Sequence, residues 1–181
     1  MADDEFTLLG DAVWLDFVNT ARGRTAPPPD LLTDFNAYRR WARSRQFDGG
    51  SDPAAFPAIR RFRDQLAGLA EALHAEKPPP GGAIAAINEL LAQGSGSQQL
   101  TRIGGDWKLH FAPRRAATAL ETIARSAATT LADPLTRVRR CAGQNCSLFF
   151  TDGSPSGSRR WCDPCVCGRD VRIERRRGIL R

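Results

Sequence analysis

Long apolar runs are missing from this 181-residue chain. No stretch approaches the ~18 consecutive apolar residues that mark a membrane-crossing helix, so no transmembrane segment is expected. The start, Met1-Ala2-Asp3-Asp4-Glu5, is acidic, whereas a secretory leader opens basic and continues apolar. A cytoplasmic protein is expected. Lysine is scarce: Lys77 and Lys108 are the only two, and arginine carries the remaining positive charge. Cysteine does not occur before position 141, and all five cysteines fall between 141 and 167. A disulfide framework for a whole secreted domain would spread them out, and a reducing compartment favours metal thiolates over disulfides. Phosphate loops, nucleophile elbows and metalloprotease motifs are absent. The two histidines, His74 and His110, stand alone on a helix pattern and a strand pattern. The chain is expected not to be an enzyme.

What is present concentrates at the C-terminal end. Cys141 and Cys146 form one Cys-x4-Cys pair, and Cys162 and Cys167 form a second after a fifteen-residue insert. Paired cysteines flanking a short turn-rich segment can close around one tetrahedral zinc ion. Four thiolates leave no open position for water, so the zinc is structural rather than catalytic. Spacing alone leaves Cys165 as an alternative partner of Cys162; equal spacing on both sides favours Cys167. Gly143 and Asn145 are expected to take left-handed backbone angles in the first turn. Leu148-Phe149-Phe150 reads as a strand, Arg159-Arg160-Trp161 as its returning partner, and residues 152–158 as the turn between them. Asp163-Pro164 is an N-cap followed by a first-turn proline, which predicts a helix from Pro164 to about Arg177. Residues five apart on a helix point roughly 140° away from each other. Cys162 therefore belongs before the helix and Cys167 in its first turn. Knuckle, hairpin and helix in this order make a treble clef.

Charge follows the same division. Residues 137–181 carry eleven arginines against Asp152, Asp163, Asp170 and Glu174, a balance of +7, while residues 1–136 balance to −1. Four zinc-bound thiolates would leave the tail at about +5. A neutral body with one cationic end points to an anionic partner at that end. Arg169, Arg172 and Arg176 share a face at helical spacing; Arg175 and Arg177 widen the strip, and Arg159 and Arg160 come from the hairpin. A guanidinium fork suits phosphates and guanine edges. DNA is expected rather than RNA, since Phe149, Phe150 and Trp161 are assigned to packing under the metal rather than to stacking on bases. One finger reads few bases, so specificity calls for a homodimer or a partner protein.

The body, residues 1–136, reads as helix-rich α+β. Breakers at Pro27-Pro28-Pro29, Asp48-Gly49-Gly50, Pro78-Pro79-Pro80-Gly81 and Gly94-Ser95-Gly96 cut it into segments. Phe6 and Leu8 suggest a short opening strand. Apolar spacing predicts helices over 12–20, 32–46, 56–73, 84–91 and 114–131. Gly104-Gly105 between alternating segments predicts a tight antiparallel hairpin. Asp16 and Asn19 share one face of the first helix. Two readings stay open for them: they hydrogen-bond local backbone and fix packing, as buried polar groups must be paired, or, with Trp41 and Arg43 opposite, they line a small-molecule pocket.

The stretch Arg139-Arg140-Cys141…Cys146…Phe150…Ser158-Arg159-Arg160-Trp161-Cys162…Cys167-Gly168 resembles the CGNR zinc-finger family. Leu15-Asp16-Phe17-Val18-Asn19-Thr20 followed by Asp30-Leu31-Leu32 resembles the ABATE domain that accompanies that finger. The resemblance implies a bacterial two-part protein: a mixed α/β sensing domain at 1–136 and a treble-clef, DNA-binding finger at 137–181, acting in transcription regulation under stress. It also implies Cys141, Cys146, Cys162 and Cys167 as the ligands of one zinc. Where the family has Cys-Gly-Asn-Arg, this chain has Cys167-Gly168-Arg169-Asp170. Two competing readings are a zinc module docking on a protein partner and redox control through Cys165.

Overall fold

The computed structural model describes residues 6–169. The first helix, α1 (Val13–Val18), continues into a 3-10 turn over Asn19–Ala21. Trp14, Leu15, Phe17 and Val18 are all buried, so this short helix is apolar nearly all round and forms the centre of the body. The helices α2 (Phe35–Ser44) and α3 (Phe56–His74) follow. Asp34 caps α2 by accepting from the Ala37 amide at 2.8 Å. The aromatic residues of α2 turn inward, with the Trp41 and Phe17 ring centroids 5.1 Å apart. On α3, Ile59, Phe62, Leu66 and Leu69 supply the buried stripe that the three-and-four spacing predicts.

Arg63 lies on that stripe at 2% exposure. Its fork meets both carboxylate oxygens of Asp30, at 2.6 and 2.7 Å. Asp30 also accepts from the Leu32 amide at 2.9 Å. The polyproline segment is thereby pinned to the middle of α3. A buried guanidinium is tolerated here because its charge is matched in bidentate geometry.

Next come α4 (Gly81–Ala92), an antiparallel hairpin of β1 (Gly96–Ile103) and β2 (Asp106–Pro113), and α5 (Ala119–Ala132). Gly104 and Gly105 both have positive φ, 63° and 96°, as a two-residue hairpin turn of this hand requires. Thr118 and Glu121 form a reciprocal capping box at the start of α5. Trp14 Nε1 donates to Thr130 Oγ1 at 2.9 Å, tying α1 to α5.

A second two-stranded sheet follows, β3 (Arg137–Arg140) against β4 (Phe149–Asp152). Three local expectations need correction. Phe6 and Leu8 form no strand; Phe6 is buried in the core instead, and the Gly10 carbonyl accepts from the Thr151 amide at 3.0 Å. Residues 159–161 form no strand either, and the partner of β4 is β3. Third, the last helix begins at Cys167, after a turn over 164–166. No helix of the described residues is long and apolar enough to cross a membrane.

Candidate metal centre

The loop between β3 and β4 is the knuckle that presents Cys141 and Cys146. It is closed by Cys141 N donating to the Leu148 carbonyl at 2.9 Å and by Cys146 N donating to the Gly143 carbonyl at 3.1 Å. Gly143 and Asn145 do not adopt left-handed angles. The need for glycine at 143 is steric: a Cβ there would sit 3.1 Å from Cys146 Cβ and 3.3 Å from Cys167 Cβ and Sγ. A side chain at this position would crowd the converging sulfurs.

The second pair arrives from the other side. Asp152 is buried at the end of β4 and accepts from Ser154 N, Ser154 Oγ and Arg159 N at 3.0, 2.6 and 3.0 Å. These bonds, the Ser154 hydroxyl foremost, hold its carboxyl below the usual range. The turn fixed in this way returns the chain so that Ala142 N donates to the Arg160 carbonyl at 2.9 Å. Asp163 then caps the following turn, accepting from Cys165 N at 2.8 Å and Val166 N at 3.2 Å. Cys167 thus opens the helix with its sulfur turned inward, and Cys165 is exposed to solvent. The open choice between Cys165 and Cys167 resolves in favour of Cys167.

All four sulfurs lie within 4.8 Å of one another. Cys146 Sγ and Cys162 Sγ are 3.8 Å apart, and Cys162 Sγ and Cys167 Sγ 3.7 Å. Tetrahedral zinc with Zn–S bonds of ~2.3 Å sets its ligand sulfurs ~3.8 Å apart, whereas a disulfide needs ~2.05 Å. The four cysteines therefore form a site that one structural zinc fits. Cys141 is held low by hydrogen bonds from the Cys146 and Cys162 thiols, while Cys146 and Cys162 are pushed up by the sulfur beside them. Cys167 is pushed up to about 12 by burial and by its neighbours' charge. Four thiolates share this space only around a cation. Backbone amides of Gly143 and Cys162 point at Cys141 Sγ, both at 3.4 Å. Arg24, from the loop after α1, places Nη2 4.0 Å from Cys162 Sγ. No sequence pattern marks Arg24 as a neighbour of the centre.

The centre is built onto the body. Leu148, Phe150 and the cysteines make one apolar cluster, with Leu9 and Trp161 against it. Phe149 and Val138 point the other way and belong to the body's core. So Phe150 and Trp161 pack beside the metal site as expected, and Phe149 does not. Asn19 grips Phe149: Nδ2 donates to its carbonyl and its amide donates to Oδ1, both at 2.9 Å. Arg22 lies over the Phe149 ring, 4.6 Å from its centroid.

The arginines divide into two groups. Arg159 donates to the Trp161 and Cys162 carbonyls, pairs with Asp11, and lies 4.5 Å over the Phe150 ring. Its guanidinium is committed within the molecule. Arg140, Arg160 and Arg169 are exposed around the centre, with Arg160 5.4 Å over Trp161. Arg172, Arg175, Arg176 and Arg177 lie outside the described residues.

The four pocket candidates are not brought together. Asn19 faces β4, Trp41 is buried among aromatic rings, and Arg43 is exposed on α2. Asp16 does line a cavity of about 610 Å³, together with Arg45, Arg125, Ser126, Thr129 and Thr130. Its Oδ1 accepts from Gly10 N at 2.8 Å and its Oδ2 lies 3.3 Å from Arg45 Nη1. Burial raises this carboxyl to about 6 despite those two partners. Arg45, just beyond the end of α2, takes the place expected for Arg43.

Two known families match the chain. Residues 11–134 match the ABATE family, described as "Putative stress-induced transcription regulator". Residues 137–178 match the CGNR zinc finger. No curated protein matches the chain.

Proposed function

The chain belongs to the ABATE family and ends in a CGNR zinc finger, and from that premise we propose that it is a zinc-dependent transcription regulator of the cytoplasm that binds duplex DNA through the finger. The observation that carries this reading is the closed four-sulfur centre ringed by exposed Arg140, Arg160 and Arg169. A rigid, metal-held base fixes guanidinium groups at low entropic penalty, and each fork matches a phosphate. Arg172, Arg175, Arg176 and Arg177 extend the same cationic strip in the sequence. Arg159 supports the platform rather than the DNA. Four thiolates around one zinc leave no position for a substrate, so the reading is non-catalytic.

The body is proposed to sense a small molecule in the cavity beside Asp16, where Arg45 and the hydroxyls of Ser126, Thr129 and Thr130 offer a polar lining. This cavity borders Thr151 on β4, which gives an occupant a physical route to the finger.

Affinity of the intact zinc-loaded chain for duplex DNA, measured across salt concentration, tests the DNA reading. Neutralising roughly four to six phosphates gives a slope of log K against log salt of about −4 to −5. The double change Arg160→Gln with Arg169→Gln is expected to flatten that slope by about 2. A slope near zero in the unaltered chain ends the proposal.

A further inference from the structure

The β1–β2 hairpin is amphipathic, and its apolar face is exposed along with its polar one. The register pairs Gln98 with Phe111, Leu100 with Leu109 and Arg102 with Trp107. Alternate residues share a face, so these six side chains form one surface. The opposite face carries Gln99, Thr101, Lys108 and His110, with one apolar side chain, Ile103, beside the turn at 52% exposure. Yet Leu100 is 60% exposed, Trp107 67%, Leu109 67% and Phe111 46%. Each strand has only the other as a sheet neighbour among the described residues. An isolated two-stranded hairpin is marginal in water unless its apolar face is covered. A contiguous patch of this kind marks an interaction site.

We propose that this face is a self-association surface on which a second copy of the chain docks, hairpin against hairpin. The exposed portions of the four apolar side chains amount to on the order of 500 Å² per copy, taking ~150–250 Å² for each full aromatic side chain. Two copies face to face bury about 1,000 Å² before any flanking residue is counted, which reaches the lower bound of a specific interface.

The charge pattern selects the occupant and the orientation. The face carries a single charge, Arg102, near the hairpin tip. An anionic membrane or an acidic partner would call for several cations around the apolar patch. A two-fold arrangement with the hairpins antiparallel sets Arg102 of each copy over Gln98 and Phe111 at the base of the other. The two guanidinium groups are then far apart, and each meets an amide and an aromatic ring. Trp107, the largest exposed ring, is the anchor expected of such an interface.

Sedimentation of the intact zinc-loaded chain over a range of concentrations tests this, without DNA. A reversible dimer is expected. Trp107→Ser with Leu109→Ser is expected to raise the dimer Kd on the order of 100-fold, with zinc content and far-UV circular dichroism unchanged. Leu100→Lys on the opposite strand gives an independent reading and is expected to dissociate the dimer as well. Lys108→Ala, on the polar face, is expected to leave it intact. The proposal is overturned if the unaltered chain stays monomeric, if the dimer survives the apolar-face changes, or if Lys108→Ala weakens it equally.

Discussion

The side-chain amide of Asn19 hydrogen-bonds both backbone groups of Phe149, donating to the carbonyl and accepting from the amide. One side chain thus does for β4 what a neighbouring strand would do, and it does so from the body. Replacing it with alanine leaves a buried donor and a buried acceptor without partners, each worth ~1–3 kcal/mol. Asn19→Ala is expected to destabilise the zinc-loaded chain by about 2–4 kcal/mol in urea denaturation. Asn19→Asp, which keeps the shape but cannot donate and adds a buried charge, is expected to do at least as much harm. A variant with an unchanged midpoint would show that the clamp carries no stability.

The metal centre makes a stoichiometric prediction. Elemental analysis is expected to find one zinc per chain. Cys167→Ser is expected to lose it and Cys165→Ser to retain it, because Cys165 is exposed and outside the cluster. Chelation is expected to loosen residues 141–169 in hydrogen exchange while the helices of the body keep most of their circular dichroism, since their core is formed largely by other side chains.

Gly143 offers a test of packing at the centre. An alanine Cβ would press on Cys146 and Cys167 at 3.1–3.3 Å. Overpacking at this scale disturbs a site by ~1–3 kcal/mol. Gly143→Ala is expected to weaken zinc affinity about tenfold or more in competition with a chromophoric chelator, without altering the body. Equal affinity would mean that the knuckle relaxes freely.

Asp16 predicts a pH dependence of definite sign. Its carboxyl titrates near 6 in the folded chain against an ordinary 3.8, so the folded state binds the proton more tightly than the unfolded state. Stability from this group is therefore greatest below about pH 4 and falls as pH rises through 6. The full difference is on the order of 2–3 kcal/mol. Asp16→Asn removes the titration while retaining an acceptor for Gly10 N. The stability of Asp16→Asn relative to the unaltered chain is expected to rise by that amount between pH 4 and pH 7. A pH-independent difference between the two would contradict this account of the carboxyl.

Much of this structure was readable beforehand where local chemistry decides it. Cys141, Cys146, Cys162 and Cys167 stood out because a metal needs several soft ligands at turn-compatible spacing. The helix α3 stood out because its apolar residues recur every three or four positions. The strand β3 did not: in Arg137-Val138-Arg139-Arg140 only Val138 turns inward, and its partner is set by closure of the knuckle rather than by a local turn. Pairing Leu148-Phe149-Phe150 with 159–161 failed for the same reason. Arg159 read as a free cation because a sequence does not show the carbonyls, the ring and the Asp11 carboxylate that surround it. The β1–β2 alternation predicted a hairpin correctly, but alternation says only that two faces differ, not whether either one packs on the body; both are exposed.

Val138 and Phe149 sit in the same apolar core as α1 and α3. A CGNR finger of this kind is thus not a detachable cassette. Grafted onto a foreign host it would expose a phenyl ring and leave a backbone pair of β4 without its amide partner. Lineages that exchanged this finger between proteins would have had to carry along the helix bearing Asn19, which gives a physical reason for the two segments to be inherited as one piece.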